Sequence, residues 1–181
     1  MIIKPPETIS FIIIDPSLRS TGVLVCREGK IKTYAIQKES KPYDVLAYYV
    51  WHFSNLAKER HWDFITIEGY DPIAKGTQAY IQHEVGGCIR AAFAAYKIPI
   101  IVMPISTWKA ICSFRMSKKT QQNKREYRNA VLERFGYEID TDDECDCLIM
   151  MIAIAYITRG IKKTDKSDLI KEQFHQLKIE F

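Results

Sequence analysis

The chain has 181 residues, 47% hydrophobic and 27% charged, with a formal net charge of +4 at pH 7. That is enough apolar content for one domain around one core, which argues against disorder, and no stretch approaches the roughly 20 uninterrupted apolar residues of a membrane span. The start, Met1-Ile2-Ile3-Lys4-Pro5-Pro6, lacks a signal-peptide layout, so a soluble cytoplasmic protein without membrane partners is expected.

In chain order, the first third predicts an antiparallel meander: Ile9 to Ile14, Gly22 to Cys26, a Glu28-Gly29 turn, then Ile31 to Ile36. Apolar residues at Tyr43, Leu46, Ala47, Val50, Phe53 and Ala57 recur every three to four positions and predict an amphipathic helix that starts at Pro42 and ends at Lys58-Glu59-Arg60, with those residues inward. Phe64 to Glu68 reads as a strand, about Thr77 to Lys97 as a long helix and Ile100 to Met103 as a strand, a crossover that implies parallel pairing. A short helical turn follows near Ser106 to Ile111, then helices from about Lys118 to Phe135 and from about Thr141 to Thr158. The expected fold class is α/β: a mixed five-stranded sheet, three strands of meander plus two parallel strands, flanked by helices. Residues 1–181 form a single domain in this reading, with a charged tail from about residue 160.

Five cysteines, Cys26, Cys88, Cys112, Cys145 and Cys147, sit singly among apolar neighbours, as reduced core thiols do. Cys145-x-Cys147 is too tightly spaced, and lacks the second ligand pair, for a structural zinc. Charge is unevenly placed. From Lys109 to Arg128 there are seven basic residues against the single acid Glu126, a local charge of +6 that leaves −2 for the rest of the chain. Such a patch suits one surface that meets a polyanion, although a solvated helix face over Lys118 to Arg128 would look the same. Trp108, Phe114 and Tyr127 read as core residues before stacking platforms.

Three acidic stations carry the chemistry. Asp15 ends the apolar run Phe11 to Ile14, where an uncompensated carboxylate would cost several kcal/mol of desolvation. A surface turn is the plain alternative, since Asp15-Pro16 is a common turn opener. Glu68 ends a second apolar strand expected beside the first, and ligands of open α/β sheets gather beyond the carboxyl ends of strands. Asp143 and Asp146, three apart on one helical face, stand at the start of the last helix, where Thr141 and Glu144 also spell a capping box. Capping and the helix dipole account for Glu144 and Asp142, but not for Asp146 at the border of a wholly apolar helix. Four converging carboxylates would repel by about 1 to 4 kcal/mol per close pair at intermediate dielectric, so protons or cations must enter. Oxygen-only ligands favour Mg²⁺ or Mn²⁺, and two such ions about 4 Å apart suit phosphodiester hydrolysis.

The segments Asp15-Pro16-Ser17-Leu18-Arg19-Ser20-Thr21-Gly22, Ile67-Glu68 and Asp143-x-x-Asp146, with their order and spacing over about residues 9 to 159, resemble the RuvC family of Holliday-junction resolvases. The resemblance implies an RNase H-like fold, a homodimer, and Mg²⁺-dependent endodeoxyribonuclease activity that resolves four-way DNA junctions by symmetric paired nicks, with two ions per active site. It makes Asp15, Glu68, Asp143 and Asp146 the metal ligands and matches Lys109 and Lys124 to the family's basic catalytic residues. Branched DNA would be held by Arg19, Tyr70, Lys75, Lys109, Arg115, Lys118, Lys119, Lys124, Arg125 and Arg128. Tyr70 is the nearest match to an aromatic that reaches into the junction.

Ser17 stands where the family usually has glycine, and Glu144 and Cys145 replace small residues between the last two aspartates, so Asp142 or Glu144 could substitute in the site. These departures resemble phage-encoded members. The partner would be a branch-migration helicase, or none for a phage-type protein, in a bacterial cell or a phage-infected host. A broader nuclease for forks and flaps, and a junction-binding protein with decayed catalysis, are the alternatives. A phosphotransferase of the actin and sugar-kinase type shares the Asp, turn and Thr-Gly of the first hairpin, but needs two such domains and a glycine-rich adenosine loop. Gly86-Gly87 inside the long helix would cost about 1 kcal/mol per glycine against alanine, which predicts close approach of another backbone, a second subunit or the protein's own sheet.

Overall fold

The computed structural model describes residues 9–59, 61–69, 77–111, 128–129 and 139–158. Within them the chain forms β1 (Phe11–Asp15), β2 (Ser20–Arg27), β3 (Lys30–Gln37), α1 (Pro42–Lys58), β4 (Phe64–Glu68), α2 (Thr77–Ala94), β5 (Ile100–Met103), α3 (Ile105–Ile111) and α4 (Asp142–Thr158). The strands make one sheet in the order β3-β2-β1-β4-β5. β1 pairs antiparallel with β2, and β2 with β3, whereas β1 and β4, and β4 and β5, are parallel. This is the mixed sheet the sequence predicts. The helix proposed over Lys118 to Phe135 lies outside the described residues except at Arg128 and Asn129, which are helical.

Local chemistry explains the joints. Glu28 and Gly29 both have positive φ, 53° and 74°, the backbone of a type I′ turn, whose twist matches that of the β2–β3 hairpin. Pro42 opens α1 at the first turn, where its missing N–H is no loss. At the start of α4, Thr141 accepts from the Glu144 backbone N–H at 3.3 Å and donates to the Glu144 carboxylate at 3.0 Å, so the capping pair forms as predicted.

Side-chain alternation divides the strands between two cores. Ile12, Ile14, Val23, Val25, Ile65 and Ile67 face α1 and α2, packing with Tyr49, Phe53, Trp62, Ile89 and Phe93. Phe11, Ile13, Leu24, Cys26 and Met103 face the other way, onto Trp108 of α3 and onto α4 from Cys145 to Ala153. α4 is apolar all round its buried length because it lies in that layer, against β1, β2 and β3. Cys26, Cys145 and Cys147 are buried free thiols, with burial first in raising Cys26 to about 11 and Cys145 to about 12.

Three expectations need correction. The inward stripe of α1 is Val45, Tyr49, Phe53, Leu56 and Ala57, while Tyr43 and Val50 are 80% and 41% exposed. α1 carries two overlapping apolar stripes. The one that wins holds Tyr49, whose hydroxyl reaches the backbone after β1. Second, α2 stops at Ala94 rather than Lys97, because Lys97 turns to φ 57° and ends the helix. Third, a Cβ on Gly87 would meet no described atom within 4 Å, so packing on the chain's own sheet does not require that glycine. Among the described residues, no helix is long and apolar enough to cross a membrane.

Candidate active site

β1 and β4 run side by side in register, Ile14 opposite Ile67, and each ends in an acid at the same edge of the sheet. Alternation sets where those acids point. Asp15 is in phase with Phe11 and Ile13, and Glu68 with Phe64, so both lie on the face that α4 covers. On that face of β2 come Ser20, Gly22, Leu24 and Cys26. Gly22 lies opposite Asp15, and a Cβ there would stand 2.3 Å from the backbone oxygen of Asp143. Only a residue without a side chain lets the first turn of α4 settle over the end of β1. That contact brings the third acidic station to the other two.

The electrostatics agree with this convergence. Asp15 and Glu68 are each only 8% exposed. The Asp15 carboxyl is held well above the usual carboxylate range, first by burial, then by the charges of Glu68 and Asp146, a hydrogen bond shared with the Glu68 side chain, and the charge of Asp143. The other three predicted acids therefore all act on buried Asp15. The Cys147 thiol beneath them is also raised, by burial first and then by Asp15, Asp146 and Glu68, and it donates to the Ile13 carbonyl at 3.6 Å. Among the described residues no three His, Cys, Asp or Glu side chains are already closed into a metal shell. The donor set itself fits a hard cation. It is all oxygen, it is rich in negative charge, and its central member is buried where only a proton or a cation can neutralise it.

Neutral donors fix parts of the cluster. Trp108, 1% exposed, donates from Nε1 to Oε1 of Glu68 at 3.2 Å. Ser20 donates from its hydroxyl to Oδ2 of Asp143. Sequence reasoning reads Trp108 correctly as core but misses its polar edge, and it passes over Ser20. The signal for Ser20 was present, since it is in phase with Gly22, Leu24 and Cys26 along β2.

The other proposed site residues fare differently. Glu144 is engaged in the cap, and Asp142 lies 3.5 Å from Arg128, which also donates to the Asp140 carbonyl at 2.7 Å. Arg128, expected at DNA, thus contacts the start of α4 while its side chain stays partly exposed. Arg19 is exposed in the turn between β1 and β2. Lys109 lies on α3, with its side chain outside the described part. Tyr70, Lys75, Arg115, Lys118, Lys119, Lys124 and Arg125 lie outside the described residues, as do Phe114 and Tyr127.

No protein-family model matches this chain, and no curated protein sequence matches it. Solved structures do. The RuvC of Thermus thermophilus in complex with a Holliday junction substrate superimposes with a TM-score of 0.65 at 13% identity, over 84% of this chain and 97% of that one. Another structure of Thermus thermophilus RuvC gives 0.62 at 14%, over 84% and 98%. At such identities the likeness is one of fold. Together with the strand order, it defines an α/β protein of the RNase H-like class.

Proposed function

We propose that this chain is a divalent-metal-dependent endonuclease that hydrolyses phosphodiester bonds in branched DNA. The observation that carries the reading is Asp15: a buried strand-end carboxylate pressed by Glu68, Asp143 and Asp146 in a fold shaped like that of a junction-bound RuvC. Asp15, Glu68, Asp143 and Asp146 would hold the ions. Bound there, Mg²⁺ or Mn²⁺ would supply the Lewis acidity that activates a water and stabilises the departing oxygen of the sugar-phosphate link. Asp15 sits centrally on the rigid end of β1, and Glu68 beside it on β4 sets the spacing on that side. Asp143 and Asp146 close the opposite side from the first turns of α4.

Substrate binding rests on charge. The run Lys109 to Arg125 would contact backbone phosphates together with Arg19, with little sequence information, as recognition of a branched shape requires. The narrower reading is a homodimer that makes paired nicks in four-way junctions. It has the Holliday-junction complex of the similar RuvC structure behind it, and the glycines of α2, of which Gly87 has no described atom within 4 Å of a Cβ placed there.

The test is to incubate the protein with synthetic four-way junctions, forks, flaps and linear duplex in Mg²⁺ or Mn²⁺ and to map the nicks. Cutting confined to branched substrates, abolished by Asp15→Asn with binding retained, is the expected result. Binding with no nicking in any divalent metal would replace the nuclease with a junction-binding protein.

A further inference from the structure

We propose that Ser20 and Trp108 are positioning residues of the carboxylate cluster, each orienting one metal-binding side chain through a neutral hydrogen bond. The inference deepens the metal-dependent reading above and rests on it.

Trp108 is built for that task. Its indole N–H can only donate, so the contact with Glu68 Oε1 at 3.2 Å has one polarity whatever the pH. The ring is 1% exposed and packed with Met103 and α4, so its direction is fixed by the core that supports α4. A carboxylate has two oxygens and about four lone-pair sites, so one donor sets its plane without using up its capacity as a ligand.

Ser20 does the same from the opposite side of Asp15. It opens β2, two residues before Gly22, on the face that α4 covers. Gly22 admits the Asp143 backbone and the Ser20 hydroxyl grips its Oδ2, so one strand fixes both the main chain and the side chain of that aspartate. Partners that hydrogen-bond to metal ligands tune affinity by about 10- to 100-fold, because they remove the freedom the ligand would lose on binding.

The experiment compares full-length wild type, Ser20→Ala, Ser20→Thr and Trp108→Phe. Mn²⁺ uptake is read by calorimetry, metal-free stability by thermal melting, and the Mg²⁺ concentration for half-maximal nicking on a four-way junction. Ser20→Ala and Trp108→Phe are expected to bind Mn²⁺ about 10- to 100-fold more weakly and to need correspondingly more Mg²⁺, while cutting at saturating metal largely recovers. Ser20→Thr keeps the hydroxyl and restores affinity. Mn²⁺ affinities within twofold of wild type in both Ser20→Ala and Trp108→Phe overturn the proposal; should Trp108→Phe not fold, the Ser20 pair decides it alone. Wild type that takes up no Mn²⁺ overturns the proposal and the metal reading together. Mn²⁺ uptake that depends on both residues, in a protein that nicks no DNA, upholds the positioning role and overturns only the nuclease.

Discussion

The two faces of the sheet end differently at the same edge, one residue apart along each strand. Under α1 and α2, the strand ends close with Ile14, Ile67 and Thr21, and the polar atoms there satisfy one another. The Tyr49 hydroxyl donates to the Ser17 carbonyl at 2.9 Å, and Thr21 Oγ1 lies 2.9 Å from Tyr49 Oη and 2.7 Å from the Ser17 oxygen. Under α4, the neighbouring positions are Asp15, Glu68 and Ser20, and the acids there press on each other. Neutral hydroxyls complete a core. Crowded carboxylates leave a core in need of a proton or a cation, at a cost that stability alone does not explain.

The largest break in this contrast is Asp15→Asn. It removes the central charge from the charged face, so nicking should fall by more than about 100-fold, beyond the loss expected from a supporting residue. The metal-free protein should melt at a higher temperature, because the amide needs no counter-charge. The pH dependence follows from the same shift. Since the folded Asp15 holds its proton more tightly than the unfolded chain does, metal-free stability is full below the usual aspartate range and declines as pH rises through the raised value. Melting of metal-free wild type from pH 4 to 8 should show that decline, and Asp15→Asn should flatten it. A flat wild-type profile would mean that Asp15 does not feel its neighbours.

Next in size is Gly22→Ala, which places a methyl where the Asp143 carbonyl stands and should cost about 1 to 3 kcal/mol by denaturant melting, together with most of the nicking. On the neutral face, Tyr49→Phe removes one hydroxyl and should cost about 1 kcal/mol while leaving Mn²⁺ affinity within about twofold. Equal damage to metal binding would erase the distinction between the faces. The smallest effect is expected of Thr141→Ala, about 1 kcal/mol of stability from the lost cap, with activity kept at permissive temperature. Activity lost there in a protein still folded would draw the capping box into the site.

Strand identity and pairing were legible because β1, β2 and β4 are short apolar runs bounded by turn residues, and a crossover helix fixes the parallel neighbours. The acidic stations were legible for the same reason: each stands at an element end, where a pattern breaks. The buried stripe of α1 was not, since Tyr43, Ala47 and Val50 have helical spacing as good as that of Val45, Tyr49 and Phe53, and only tertiary contact chooses between them. Trp108 escaped because a lone tryptophan has no signature of its own, and Ser20 because its phase along β2 tells which face it takes but not which partner it meets. Their meaning comes from partners 123 and 40 positions away in the chain.

Side-chain parity along β1 carries a consequence for how such a protein can change. Adding or deleting one residue between Phe11 and Asp15 would leave the composition nearly untouched, yet it would swing the aspartate into the aromatic layer beside Tyr49 and turn an isoleucine toward α4. Substitutions can be tried one at a time on this scaffold. Changes of strand length are tolerable only in steps of two, which makes the spacing from Phe11 to Asp15 a firmer mark of lineage than the letters that fill it.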